Sequence, residues 1–345
     1  MAKDLPVSTS EGESAESADQ KQPSQRRRTQ ATESSRNTVV GVSLVMLSAL
    51  SFGISPAMVK LAFLADLNGL SLIAFRCLIG AAVLAVISQA FGERSVGRSS
   101  AWRLGLVGAT LFGPQMWAYF TALSYMESSV VVAIVYVYPA IVAALVAIGL
   151  RRRPGGVEII LLAMALCGVA VVALLDGGTP TSTAGVVLAA VTALGYALYV
   201  VVVAPIVNGL PPLVSSCWVL LGSGLSTVAA AMVTGQMQLP GNMAGYGYVA
   251  IHGFFIVPIG LAAFYGGLSR LGATRTSIVD TMQPVIAALV GVVVLGEYLS
   301  GPQIIGIALV ILAVLGLPLT AGRDAKRPRQ SASRWRFLQR DSYEL

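Results

Sequence analysis

The chain has 345 residues, 55% of them hydrophobic and only 11% charged, with a formal net charge of +7 and a mean hydropathy of +0.76. A water-soluble globule needs more charge than this to solvate its surface. The apolar residues come instead in blocks of about 20, the length that crosses ~30 Å of hydrocarbon, so an integral membrane protein is expected.

Residues 1–37 are polar, dominated by Ser, Glu, Gln and Lys, and predict a disordered cytoplasmic tail. No apolar stretch follows Met1, so a secretory signal peptide is not expected. The run Arg26–Arg28 suits either anionic lipid headgroups or plain solvent.

Ten apolar segments follow, at about 39–61, 69–91, 101–123, 128–149, 156–175, 184–206, 212–234, 246–269, 274–295 and 301–320. The connections are short and several carry Gly or Pro, as in "RRRPGG", "DGGTPTST", "NGLPP" and "QLPGN". Residues 321–345 form a second, basic tail. The three cysteines, Cys77, Cys167 and Cys217, sit inside apolar blocks with no CxxC pair, which argues against a disulfide framework or zinc site. A single histidine excludes a multi-histidine metal centre, and neither a metal nor a cofactor is expected.

Charge predicts the orientation. With the N-terminus in the cytoplasm, the inner loops hold Arg94, Arg98 and Arg103, then Arg151–Arg153, then Arg270 and Arg275, and finally the basic tail. The outer loops hold Asp66, Glu127, Asp176 and Glu297, and no lysine or arginine outside the helix ends. The positive-inside rule therefore puts both termini in the cytoplasm.

The chain also repeats itself. "VYVYPAIVAALVAIGL" (135–150) returns as "DTMQPVIAALVGVVVL" (280–295), an offset of 145 that aligns Pro139 with Pro284 and Leu123 with Leu268. An offset of 144 aligns "GVSLVMLSALSF" (41–52) with "GVVLAAVTALGY" (185–196), and one of 142 aligns Gly80 with Gly222. The match runs in order through segments 1–4 and 6–9. One five-helix unit is used twice, over residues 38–176 and 183–320. Five is odd, so the second unit enters the membrane from the other side. The predicted fold is an all-α integral membrane protein of ten transmembrane helices, built as two inverted five-helix repeats. Such repeats are characteristic of secondary transporters, whose substrate site lies near the midplane between them.

The segments "SFGISPAMVKLAF", "LIAFRCLIGAAVLAV", "YFTALSYMESSVVVAIVYVYPAIVAALVAIGL" and "QPVIAALVGVVVLGEYLSGPQIIGIALVILAVLGL" resemble EamA-type members of the drug/metabolite transporter superfamily. The resemblance covers residues 39–320. It implies a ten-helix export or exchange carrier with cytoplasmic termini, a small-molecule substrate and an inner (plasma) membrane location in a bacterium. Lys60, Arg76, the prolines of segments 4 and 9, and "LGE" (295–297) carry it. The first repeat departs from the pattern, with "LRRRP" (150–154) in place of the LGE-type turn, so Glu297 is given no transport role. The substrates of this superfamily span amino acids, nucleobases, sugars, vitamins and cationic drugs, so the resemblance does not name one.

Ionisable side chains inside a bilayer are costly and mark functional candidates. Lys60, near the outer end of segment 1, is either a basic site residue or a side chain snorkelling to the headgroups. Arg76 lies well inside segment 2, with Trp218 as its repeat counterpart. It suits a substrate carboxylate or phosphate, or else a structural tie to a helix-end carbonyl or an acid such as Asp66. Thr276, Asp280, Gln283 and Ala287 share one helical face, with Val135 and Tyr138 as the counterparts of Asp280 and Gln283. Asp280 is a cavity and coupling-proton candidate, the rival reading being an ion pair with Arg275 or Arg270. His252, opposite Val107 at an offset of 145, is either a cavity residue or an interhelical donor. Trp117, Tyr138 and Tyr196 complete the cavity candidates, beside Pro114, Pro139, Pro258 and Pro284, each of which removes an internal helix hydrogen bond.

The function expected is secondary transport of a small polar or amphipathic metabolite, such as an amino acid, by alternating access. The alternative is a non-transporting membrane sensor or scaffold, which would want a folded cytosolic module. An enzyme is not expected, since one histidine and one intramembrane acid make no catalytic cluster. The chain has no P-loop motif, which excludes primary active transport by this chain alone. The partners expected are the small-molecule substrate, membrane lipid and a coupling proton, with no nucleic acid; a homo-oligomer stays open. Reporter fusions at residue 178 and at the C-terminus should report opposite sides of the membrane. Both on one side would sink the inverted-repeat reading.

Overall fold

The structure, a computed structural model, describes residues 10–93, 95–126, 128–149, 155–174, 182–295 and 301–317. Arg94, Glu127, Arg151–Arg153, Asp176, Glu297 and the basic tail 321–345 lie outside the described residues. Every regular element described is helical. The first half holds α1 (Ser10–Leu64), α2 (Gly69–Ala90), α3 (Arg98–Val107), α4 (Gly113–Tyr125), α5 (Ser128–Val135), α6 (Tyr138–Gly149) and α7 (Gly156–Leu174). The second holds α8 (Thr183–Val207), α9 (Pro212–Val233), α10 (Met243–Ile251), α11 (Val257–Leu271), α12 (Ala273–Asp280), α13 (Met282–Leu295) and α14 (Gly301–Gly316).

Among the described residues, five helical stretches are long and apolar enough to cross a membrane: Arg36–Leu64, Gly69–Ala90, Thr183–Val207, Pro212–Val233 and Met243–Leu271. Shorter apolar helices stand beside them, including Tyr138–Gly149, Gly156–Val171 and Ile304–Gly316. The exposed surface carries many large apolar side chains, among them Leu50, Val86, Val187, Leu225 and Ile311. In water such a surface would aggregate; in a bilayer it faces a solvent as apolar as itself.

The backbone departs from the sequence expectation in two respects. Residues 10–37, predicted to lack order, are helical and continuous with the first span. Their Glu, Gln, Lys, Arg and Ala are good helix formers, and the anchored span removes the cost of nucleation at that end. Segments 4 and 9, each expected as one span loosened or kinked at its proline, are each two helices: α5 stops at Val135 and α6 starts at Tyr138, while α12 stops at Asp280 and α13 starts at Met282. The prolines account for both breaks. Each proline ring clashes with the carbonyl four residues earlier, which for Pro139 is Val135 and for Pro284 is Asp280.

Pro114 and Pro258 act differently. Each sits just after a π-helical turn, Gly108–Phe112 and His252–Ile256, that joins α3 to α4 and α10 to α11. The wider turn accommodates the ring and the missing donor without breaking the rod. The two π turns stand 144 residues apart, which makes Gly108, rather than Val107, the counterpart of His252.

Packing repeats as the sequence does. α1 packs on α11 and α13, and its counterpart α8 packs on α4 and α6. α3 meets α9 as α10 meets α2, and the counterparts α2 and α9, and α7 and α14, pack on each other. Glycine permits the closest of these approaches. A Cβ on Gly222 of α9 would stand 1.9 Å from the Gly105 carbonyl oxygen, and one on Gly108 would stand 2.1 Å from that of Val219. Gly272, at φ 77°, ends α11 in the left-handed region and lets α12 begin at the next residue.

Gly222→Val should therefore force α9 off α3, at a cost of ~1–3 kcal/mol or more. Thermal unfolding of purified protein in detergent should show a lowered midpoint and loss of monodispersity. Gly247→Ala, where an added Cβ meets nothing within 4 Å, is the control and should hold its midpoint.

Candidate functional site

A cavity of about 80 Å3, room for a few water molecules, lies between the two halves of the chain. The first half contributes Ser55 and Pro56 from α1, Arg76 from α2, Gln115, Tyr119 and Phe120 from α4, and Tyr138 from α6. The second half contributes Thr192, Tyr196 and Tyr199 from α8, Phe264 from α11 and Gln283 and Pro284 from α13. The proline breaks thus stand at the cavity wall, where irregular backbone is tolerated at membrane depth.

Asp280 is fully buried and lies one layer behind this wall. Tyr138 donates its hydroxyl to Asp280 Oδ2 at 2.6 Å, Tyr196 donates to the same oxygen at 3.2 Å, and Gln283 Nε2 donates to Oδ1 at 2.5 Å. Tyr138 and Gln283 are repeat counterparts, so equivalent positions of the two halves converge on one carboxyl. The aromatic wall continues outward from it. The rings of Tyr138 and Tyr196 lie 4.6 Å apart, Tyr196 stacks on Tyr199 at 5.8 Å, and the Tyr199 and Tyr265 hydroxyls share a 2.7 Å hydrogen bond.

The rival reading of Asp280, an ion pair with Arg275 or Arg270, is overturned. Arg275 pairs with Glu158 of α7 at 2.8 Å, and Arg270 donates to the Gly266 carbonyl one turn back. Both arginines lie near the end of the bundle, and the tyrosines claim the carboxylate first.

Arg76 is buried at 2% exposure on the cavity wall. Its guanidinium carbon lies 4.7 Å from the centre of the Phe120 ring. Among the described residues it has no ion-pair partner, Asp66 included, and its Nε has no hydrogen-bond partner. Its counterpart Trp218 is 37% exposed and takes no part in the cavity. The Nε2 of Gln115 is a second buried donor without a partner.

Two other expected cavity residues, Trp117 and His252, are elsewhere, and so is Lys60, the basic candidate at the outer end of segment 1. Trp117 is 40% exposed on the outer face of α4, because the lining positions Phe112, Gln115, Met116, Tyr119 and Phe120 follow the helical repeat and 117 falls off that stripe. His252 is enclosed behind Ser55. Its Nδ1 donates to the Tyr248 carbonyl at 2.9 Å, which leaves Nε2 of the neutral ring to accept from the Ser55 hydroxyl at 3.2 Å. Lys60 is exposed near the end of α1 and does not line the cavity. The shared face of Thr276, Asp280, Gln283 and Ala287 is interrupted at Thr281, so only Gln283 and Ala287 reach the cavity.

The model of the EamA-like transporter family matches residues 39–174 and again 183–318. This chain belongs to that family. An uncharacterized protein of Pseudomonas aeruginosa is 27% identical over 268 residues, which cover 77% of this chain and 89% of the relative. A protein of known crystal structure shares the fold at a TM-score of 0.69 and 19% identity, over 85% of this chain and 99% of its own. The chain is thus an EamA-like membrane protein with two family repeats, and its cavity lies between them.

Sequence reasoning on this EamA-like chain passed over Phe52, Ser55, Phe112, Phe120, Thr192 and Phe264 as wall residues. For Phe112 and Phe120 a signal existed, since both continue the stripe of Gln115 and Tyr119. A test of the Asp280 cage follows. Tyr138→Phe removes a buried hydrogen bond to a carboxyl and should cost ~1–3 kcal/mol in detergent unfolding, whereas Tyr125→Phe, at an exposed position, should cost nothing measurable. Tyr138→Phe combined with Asp280→Asn should cost less than the sum of the two single changes.

Proposed function

We propose that this EamA-like chain is a secondary carrier, an exporter or exchanger, for a small polar or amphipathic metabolite such as an amino acid. It works by alternating access across a bacterial inner membrane. In this reading ten helices cross the bilayer as two inverted five-helix units, with both termini in the cytoplasm. The observation that carries it is the cavity walled by both repeats, at the depth where prolines interrupt segments 4 and 9. Two units that pack through equivalent contacts have two equivalent ways of closing, one towards each side. The family match supports transport as the activity.

Asp280 is the coupling candidate. It touches three donors that belong to the cavity wall, and no arginine among the described residues pairs with it. A proton taken up or released there alters how Tyr138, Tyr196 and Gln283 are held, and so alters the wall. The route to the cargo is a comparison of metabolites inside and outside cells with and without this gene: a change confined to one chemical class names it, and no change in any class removes the carrier reading.

In liposomes, flux driven by a pH gradient should be lost in Asp280→Asn, which mimics the protonated state. Exchange of cargo for cargo should survive, because the cavity keeps its shape. Undiminished pH-driven flux in that variant would remove Asp280 from coupling.

A further inference from the structure

We infer that the cavity recognises its cargo by a carboxylate, bound by Arg76 with Gln115 beside it. This rests on the carrier reading only in taking the bound molecule to be the cargo. The first support is a pair of orphaned donors. Arg76 Nε and Gln115 Nε2 are both buried, both without a partner among the described residues, and both belong to side chains that line the same cavity. Buried polar groups are almost always satisfied, and two idle donors at one cavity call for an acceptor that enters it. The second support is charge. Arg76 is the sole charged residue on the described wall, and no described carboxylate pairs with it. The Phe120 ring offers a π face but no negative charge. A lone guanidinium at this depth lacks a counter-ion, and its planar fork matches a carboxylate.

The same count decides between anions. One arginine balances one negative charge. A phosphate dianion would leave a second charge unbalanced in a wall otherwise made of aromatic, aliphatic and neutral polar side chains, with the Asp280 carboxyl directly behind it. The rest of that wall, including Phe52, Phe112, Leu261 and Phe264, suits an apolar body. The chemical class is a small monocarboxylate with an apolar or amphipathic body.

The test uses the purified full chain and isosteric probes: isovalerate, isovaleramide and isoamylamine, with inorganic phosphate as a fourth. Calorimetry and thermal shift should show isovalerate binding at least ~10-fold tighter than the amide, the amine or phosphate, the least expected for a charge-assisted contact. Arg76→Gln should weaken isovalerate by ~10–100-fold and leave the amide unchanged, and Arg76→Lys should fall between. The inference is overturned if the amide, the amine or phosphate binds as tightly as the acid. It also falls if isovalerate fails to bind the wild type, or if Arg76→Gln binds it undiminished. Should Arg76→Gln fail to fold, the four probes on the wild type decide alone. Isovalerate that binds but is not moved across liposomes would count against the carrier and not against Arg76.

Discussion

The constraint on which this structure depends is the absence of water in hydrocarbon. A backbone N–H or C=O there must find its partner within the protein, so the chain is helical wherever it meets lipid. The four prolines Pro114, Pro139, Pro258 and Pro284 break that rule locally, since each removes a donor and crowds a carbonyl one turn back. Two of these positions adjust by widening a turn and two by ending a helix. The two breaks lie beside the cavity, with Tyr136 and Tyr138 at one and Gln283 and Pro284 at the other on its wall. Asp280, at the end of α12, stands behind that wall, held by Tyr138 and Gln283.

Within a frame that repeats, the chemistry does not. Arg76 faces the cavity, while its counterpart Trp218 faces outward. Asp280 is buried behind the wall, while its counterpart Val135 is on it. His252 fills a π turn whose counterpart holds Gly108, where a Cβ would collide with α9. On two matching scaffolds the described wall thus carries one cation on its surface, with one carboxyl beneath it. A symmetric site would have had two of each or neither, and two unpaired arginines around one small cavity would repel.

How much of this was legible in the sequence follows from what periodicity encodes. Apolar blocks, the internal repeat and the prolines are one-dimensional patterns, and from them the helical character, the two family repeats and the special standing of segments 4 and 9 could all be read. Arg76, Tyr138, Tyr196 and Gln283 could be picked out because a polar or amphipathic side chain in a block of aliphatics needs a reason to be there. The misplacements came from depth and rotation, which the same pattern leaves free. Trp117 lies two residues from Gln115 and therefore on another face of α4. Asp280 and Gln283 were assigned one face of an unbroken helix, but the chain breaks between them. The partner of Arg275, Glu158, is 117 residues away on α7, and no local spacing announces it.

The cage around Asp280 sets what the rest of the wall can offer. A tyrosine hydroxyl has one proton to donate. Tyr138 and Tyr196 both give theirs to Asp280, and Gln283 gives it one amide hydrogen. The two hydroxyls are left with lone pairs and act as acceptors, while Gln283 keeps a carbonyl oxygen and a second amide hydrogen. Arg76 and Gln115, with idle N–H groups, act as donors. The carboxyl behind the wall thus polarises the cavity without touching it, by occupying the donors that would otherwise make the lining uniform. An occupant that bonded the Tyr138 or Tyr196 hydroxyl oxygen would therefore share a hydrogen-bond partner with Asp280.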